Sequence, residues 1–283
     1  MADKDRTKMG GRALLIALLV ISFLAGAAFV LLIKGWNGPA PTGEPVPAPP
    51  VAEEARPLLP DEPRLRGAII IDDMGARMSR LRSLAELDYK VTVSVLPHLR
   101  YSGRLAREAN DMGFEVILHL PMEPGNTAIY RPGKGALYTS MEPDTMRERL
   151  AADILDVPGI KGVNNHMGSK FTEDSTGMGV VLEVLAKRGL FFIDSKTSPR
   201  SIAGKLAGRY GVKTASRDVF LDNEQDKDYI EGQFKEFIKA VKRRGSAIAI
   251  GHPYPETIEV LKETQEELRE AGITVVNASE LVE

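Results

Sequence analysis

The sequence predicts an α/β domain built on a parallel sheet that rolls into a closed or nearly closed barrel, with an open doubly wound sheet as the alternative. Three observations predict it. Short apolar, β-branched runs alternate with amphipathic segments of helical period, the pattern of strand–helix–strand units. The runs lack the polar–apolar alternation of a half-exposed sheet, so each reads as a strand buried on both faces. The alternation continues through seven or eight strands with no reversal, over about 220 residues, a size that one large α/β domain accommodates.

The first strand is Ile69-Ile70-Ile71, within Arg66 to Gly75, and it stops at Asp72-Asp73. An amphipathic segment from Arg77 to Leu87 follows, then Val91 to Leu96 as a second strand ending at Pro97-His98. A helix from about Ser102 to Met112 closes on Gly113, where a left-handed residue ends helices readily. Phe114 to Leu118 forms strand three and runs into His119-Leu120-Pro121-Met122-Glu123. Residues 124–142 make a long loop rich in Gly, Pro and Tyr, of a length usually functional. Pro143 and Asp144 suit the first turn of the helix that extends to Leu155. Ile160 to Val163 is a short fourth strand before Asn164-Asn165-His166-Met167-Gly168-Ser169. A helix over 177–188 leads to strand five, Leu190 to Ile193, ending at Asp194-Ser195. A helix near 201–210, a strand somewhere in 212–221 ending at Asp222, and a charged helix over 227–244 come next. Ala247 to Ile250 is strand seven, ending at Gly251-His252-Pro253; a helix over 257–271 and a short strand at 274–276 complete the chain.

Ahead of this domain, Ala13 to Ile33 holds no charge and no proline. About 21 residues at 1.5 Å each span roughly 31 Å, enough to cross a bilayer. Lys4, Arg6, Lys8 and Arg12 precede the run, which leaves residues 1–12 in the cytoplasm and the rest of the chain on the periplasmic or extracytoplasmic side. The expectation is a signal anchor at 13–33 in the inner membrane. A cleaved signal peptide, cut near Ala25-Gly26-Ala27, is the competing reading. Residues 34–63 hold half of the chain's 18 prolines and read as an extended tether to a domain at 64–283. The chain has no cysteine, which excludes disulfides and thiolate metal ligands, and its net charge of −2 gives no reason to expect nucleic acid.

The chain's four histidines, His98, His119, His166 and His252, all fall at or just after the end of an expected strand. Asp72, Asp73, Asp194 and Asp222 lie in the same kind of position. In a parallel barrel those ends share one rim, where such folds build their sites. Neighbours in a strand point to opposite faces, so Asp72 and Asp73 are expected to have different tasks, one as base and one as metal ligand. A carboxylate with two imidazoles is a ligand set for zinc or a similar divalent ion that leaves a position open for water. His98, beside a proline turn, fits a structural role as well as a functional one. Asp222, followed by Asn223 and Glu224, reads as a solvated or capping acid. No Gly-x-Ser-x-Gly occurs, so Ser169 and Ser195 read as turn or substrate hydroxyls, and metal-assisted hydrolysis is the simplest chemistry. Phosphoester cleavage ranks below it, the nearest basic residues being only Lys170, Lys196 and Arg200.

Ile-Ile-Asp72-Asp73, Leu-Pro97-His98, His119-Leu-Pro-Met-Glu123, Asn-Asn-His166-Met-Gly-Ser, Ile-Asp194-Ser and Gly-His252-Pro, in that order, resemble the divergent polysaccharide deacetylases, relatives of the chitin and peptidoglycan deacetylases. The resemblance covers essentially all of 64–283. It implies a distorted (β/α)7–8 barrel and metal-dependent removal of acetyl groups from N-acetylated envelope glycans. By position it implies Asp72 as general base, Asp73 as metal-binding acid, His252 as the acid that protonates the leaving amine, and Asp194 as the group that orients His252. The main family completes its metal site with His-x-x-x-His, whereas this chain has His119-x-x-x-Glu123. His166 is therefore expected to supply the missing imidazole, with Glu123 the runner-up; His98, Glu123 and Ser169 are otherwise expected near substrate or behind the ligands. The same rim on a catalytically silent glycan-binding or scaffold protein is the alternative.

Overall fold

The computed structural model of the protein describes residues 65–283. The expected membrane segment, the tether and Arg64 lie outside them. Among the described residues no helix is long and apolar enough to cross a membrane.

The elements are β1 (Leu65–Met74), α1 (Met78–Leu84), β2 (Thr92–Val95), α2 (Ser102–Asp111), β3 (Glu115–Met122), α3 (Pro143–Asp156), β4 (Gly162–Met167), α4 (Ser175–Arg188), β5 (Phe191–Asp194), α5 (Ala203–Tyr210), β6 (Thr214–Ser216), β7 (Val219–Phe220), α6 (Lys227–Arg244), β8 (Ser246–Gly251), α7 (Pro255–Glu263), α8 (Gln265–Glu270) and β9 (Ile273–Val275). All strand pairings are parallel, in the order β6-β5-β4-β3-β2-β1-β8-β7, with β9 on the start of β1. The two ends of that order, β6 and β7, are consecutive in the chain and separated only by Arg217 and Asp218. Arg217 donates its backbone N–H to Asp194 on β5, and Asp218 donates to Ile248 on β8. The sheet therefore curls until one continuous stretch borders both neighbours, without a ladder between β6 and β7. It is an incompletely closed barrel, where a closed or nearly closed one was expected.

Burial on both faces explains the unbroken apolar strands. Ile69 and Ile71 of β1 pack outward into a large core with Leu81, Leu105 and Val260, whereas Ala68 and Ile70 point inward with Ile117, Ile193 and Ile250. Ala278, Leu281 and Val282 of the C-terminal tail join that inner cluster, close to the start of β3. Two strands run further than the apolar pattern suggested. β3 continues through His119 to Met122, and β4 continues through Asn164, Asn165 and His166. Both carry polar residues deep into the sheet, which a parallel ladder tolerates when each side chain finds a partner. The expected single helix over 257–271 is two, broken at Thr264, whose hydroxyl bonds back to the carbonyl of Val260.

Candidate metal centre

The site begins where β1 departs from regular geometry. Asp72 shares the inward face of Ala68 and Ile70, as the two-residue period of a strand requires. Asp73 should then point outward, but it has φ +54°, and the register of β1 against β2 breaks between Ile71 and Met74. That left-handed residue turns the second carboxylate back to the same side. Asp72 Oδ1 lies 3.5 Å from Nδ1 of His119 and Asp73 Oδ1 lies 3.3 Å from its Nε2. The two acids bracket one imidazole. His98, Met167 and Lys196 also have positive φ, each at or just past the carboxyl end of a strand. Strained backbone thus gathers on one rim, as it does at functional sites.

Asp73 Oδ1, His119 Nε2 and His166 Nδ1 form a tight triangle. The sides are 3.3 Å from Asp73 to His119, 3.1 Å from Asp73 to His166, and 3.0 Å between the two imidazole nitrogens. Ligands of a tetrahedral ion at about 2.0–2.1 Å stand roughly 3.3 Å apart, so the triangle is close to the size needed. Asp73 Oδ1 is buried and accepts no hydrogen bond, and an orphaned carboxylate oxygen is costly unless a cation meets it. The donor set and the orphaned oxygen fit a divalent metal.

Asn164 fixes which nitrogen of His119 is free. A carboxylate only accepts, so the Asn164 amide nitrogen faces Asp72 Oδ1, to which it donates at 2.8 Å. Its oxygen then accepts from Ser94 Oγ at 2.7 Å and from His119 Nδ1 at 2.8 Å. With the proton on Nδ1, the lone pair on Nε2 points into the triangle. Burial works against ionisation of Asp73, but the His119 and His166 imidazoles outweigh it and hold its carboxyl well below the usual carboxylate range. Burial likewise disfavours the charged form of His119, yet Asp72 and Asp73 together raise its pKa above the ordinary value. Both shifts describe a pocket built for positive charge.

His252 follows β8 and faces the same mouth, its Nε2 lying 3.8 Å from Asp73 Oδ2. The carboxylate that orients it is Asp222. Asp222 Oδ1 pairs with His252 Nδ1 at 2.9 Å, and Oδ2 accepts the His252 backbone N–H at 2.6 Å and the Thr257 hydroxyl at 2.7 Å. Phe220 and Tyr254 pack against the imidazole, with ring centres 5.4 and 5.3 Å away. Burial lowers the pKa of His252, but Asp222, with help from Asp72 and Asp73, raises it to about 9.

The structure therefore corrects the expectation for Asp194. It sits 2.8 Å from both the Lys196 backbone N–H and the Ser201 hydroxyl, and so braces the loop after β5. Three further residues expected near substrate or behind the ligands have other partners. His98 Nε2 pairs with Asp153 of α3 at 2.6 Å. Glu123 accepts from Lys170 at 2.7 Å and from the backbone and hydroxyl of Thr139 at 2.8 and 2.7 Å, which ties the long loop down. Ser169 accepts the Gly125 backbone N–H at 2.9 Å. The imidazole from β4, not Glu123, stands beside Asp73 and His119. Asn164, for which the sequence suggested no role, and Asp222, expected as a solvated or capping acid, both hold residues of the site. The available signals were polar residues continuing an apolar strand, and an acid closing another.

Residues 69–282 match the model of the family described as divergent polysaccharide deacetylase. The chain belongs to that family. It is 37% identical over 215 residues to the uncharacterized protein YibQ of Escherichia coli K12, an alignment covering 76% of this chain and 66% of YibQ. With an uncharacterized protein of Haemophilus influenzae Rd it shares 34% identity over 195 residues, covering 69% of each. The chain thus spans about two-thirds of the length of these relatives. The crystal structure of ATU2773 from Agrobacterium tumefaciens C58 superposes with a TM-score of 0.73 at 25% identity, covering 77% of this chain and 89% of that one. In this member of the deacetylase family, the Asp–His–His triangle is assembled from the ends of β1, β3 and β4.

Proposed function

We propose that the protein is a membrane-anchored, zinc-dependent deacetylase that removes N-acetyl groups from cell-envelope polysaccharide. The observation that carries this reading is the Asp73–His119–His166 triangle flanked by a second carboxylate, Asp72, and by an imidazole that Asp222 orients. Asp73, His119 and His166 would hold the ion. When bound, the ion supplies Lewis acidity toward an amide carbonyl and a water of lowered pKa. Asp72, held in place by Asn164, takes a proton from the attacking water as its oxygen bonds to the carbonyl carbon. With its pKa raised to about 9, His252 is an imidazolium at neutral pH: Nδ1–H is committed to Asp222, and Nε2 carries the proton that can be given away. It donates that proton to the amine nitrogen as the C–N bond breaks, releasing acetate and the free amino sugar. Anchoring through 13–33, with the domain on the periplasmic side, places these residues next to such glycans.

The test is acetate release from N-acetylglucosamine oligomers and from envelope glycan by the purified full-length chain, with zinc or cobalt supplied. Release that falls by at least about a hundredfold in Asp72→Asn and in His252→Ala supports the reading. No release with any divalent ion, while the protein still binds glycan, replaces it with the silent-binder reading. Carbonate washing of membranes tests the anchor: full-length protein in the washed pellet supports it, and a mature N-terminus near Ala28 removes it.

A further inference from the structure

We infer that the end of the barrel opposite the metal centre carries a basic patch that docks on a bilayer containing anionic phospholipid. Because every strand pairing is parallel, the strand starts share one end of the sheet and the site residues share the other. Lys90 stands two residues ahead of β2, and Lys161 and Lys213 stand directly ahead of β4 and β6. All three are exposed, and among the described residues no carboxylate pairs with any of them. They are also neighbours. Lys161 and Lys213 line one open depression of about 690 Å³, together with Phe114, Leu190 and Phe191. The Lys90 ammonium lies 4.5 Å over the Phe114 ring while donating to the Met112 carbonyl at 2.9 Å. A helix that follows a parallel strand runs back toward the strand starts, so α4 and α5 end on the same rim. They bring exposed Arg188 and Arg209, and their left-handed caps, Gly189 and Gly211, line the depression.

A cation in the last turn of a helix is what the helix dipole favours, so the two arginines alone call for no partner. Strand starts carry almost no dipole, and nothing in the sheet calls for the three lysines. The nearby acids offset them only in part. Glu115 turns into the barrel, where it accepts from the Thr92 hydroxyl and the Ser279 backbone, and Glu280 folds back on the Asn277 backbone. Asp111 and Glu283 are left exposed. The covalent path of the chain selects the partner. Residues 1–64 precede β1, whose start lies at this same end, three strands from β4 and so about 14 Å from the patch. The segment at 13–33 thus leads into the domain beside the lysines and not beside the mouth. A depression with apolar residues inside and ammonium groups at its edge suits a phosphate headgroup with the first carbons of its chains. With the patch on lipid, the ten-residue β1 holds the mouth up to about 30 Å away, facing outward toward glycan.

The inference rests on the proposed anchoring, and its test separates the two. The full-length chain is reconstituted in discs of phosphatidylcholine alone and of an equimolar mixture with phosphatidylglycerol. Lysine reactivity toward an uncharged acylating reagent is then read residue by residue. Lys161 and Lys213 should react at least about fivefold more slowly in the mixed discs, with the protection fading as ionic strength rises, while Lys196 at the mouth stays unchanged. A cation held near an anionic surface strengthens binding about fivefold, so losing three costs about a hundredfold. In Lys90→Gln/Arg188→Gln/Arg209→Gln, which keeps both reporter lysines, protection should therefore disappear. Equal reactivity of Lys161 and Lys213 in the two discs overturns the inference. So does protection of Lys196 to the same degree, or protection that survives in the triple variant. If dextran sulfate shields the two lysines in phosphatidylcholine discs as strongly as phosphatidylglycerol does, the patch is a general polyanion surface and the lipid assignment falls. A chain that stays out of phosphatidylcholine discs, yet binds the mixed ones with the expected pattern of protection, counts against the anchor alone.

Discussion

Two Asp–His pairs sit at the ends of strands in this fold, and they are wired in opposite senses. At the end of β8, Asp222 holds Nδ1 of His252 and leaves Nε2 facing the mouth, 3.8 Å from Asp73. At the end of β2, His98 gives Nε2 to Asp153 at 2.6 Å, its Nδ1 lies 3.9 Å from Asp156, and its backbone N–H also bonds to Asp156. The first pair presents a proton to a cavity. The second fastens the end of β2 to α3. What separates the two is where the second nitrogen lies: Nε2 of His252 faces the metal-centre mouth, whereas Nδ1 of His98 lies beside a second carboxylate of α3.

The comparison breaks first at Asp222. Its pair raises His252 to about 9, so the protonated imidazole persists through neutral pH and is lost above that value. Activity that needs this proton should hold up to about pH 9 and fall beyond it. Asp222→Asn should drop turnover by about 10²–10⁴ and bring the alkaline limb down toward the ordinary histidine value near 6.5. The same shift sets a stability trend. Because the folded pKa lies above the unfolded one, the pair's contribution is complete below about pH 6.5 and fades as pH rises through about 9. A pH–rate profile whose alkaline limb is identical in Asp222→Asn and wild type would mean that His252 is not the proton donor.

Asn164 comes next in size. Its oxygen keeps the proton of His119 on Nδ1, and its nitrogen holds Asp72, so Asn164→Leu disturbs both at once. Zinc affinity should fall by about 10–100-fold, the usual cost of losing a group behind a metal ligand. Metal titration of the two proteins checks this, and equal affinities would leave Asn164 as no more than a filler of the barrel interior.

The rim was legible in outline and the wiring was not. Ile69-Ile70-Ile71 followed by two acids announced a buried parallel strand with chemistry at its end, because apolar burial on both faces leaves a local trace. The turn at Asp73 left none, since nothing in Asp-Asp-Met-Gly distinguishes a strand that stops from one that kinks. β4 read as ending at Val163 because Asn164 and Asn165 are polar. What makes them strand residues is Ser94, Asp72 and Ser195, brought from far along the chain. Asp222 looked solvated beside Asn223 and Glu224 for the same reason, its three donors being at positions 252 and 257. The pairings of His98 and His252 with their carboxylates depend on contacts 30 to 58 residues away, which no local pattern encodes.

At the other Asp–His pair the expected effect is on stability. Asp153 is fully buried, and burial raises its carboxyl to about 6, with the adjacent His98 opposing the rise. His98→Ala leaves that acid without its partner and should cost about 2–3 kcal/mol, less than for a wholly buried ion pair because His98 is partly exposed. Denaturant titration measures the loss, and zinc content should stay at the wild-type level. A fall in zinc with stability preserved would move His98 from the α3 contact to the mouth.

Glu123 carries the smallest expected change and separates the two remaining readings of the β3 end. Its spacing from His119 is that of a second metal ligand, but its oxygens are occupied by Lys170 and Thr139. Those donors, set against burial, hold its pKa below the usual glutamate value, so its contribution is present above about pH 4.5 and is lost as pH falls below that. Glu123→Gln keeps the shape and removes the charge, and should cost about 1 kcal/mol through the Thr139 and Lys170 bonds with zinc affinity unchanged. His166→Gln should abolish zinc binding under the same conditions. If the two variants exchanged these outcomes, the third ligand would come from β3, as the spacing alone suggests, and β4 would have only a supporting part.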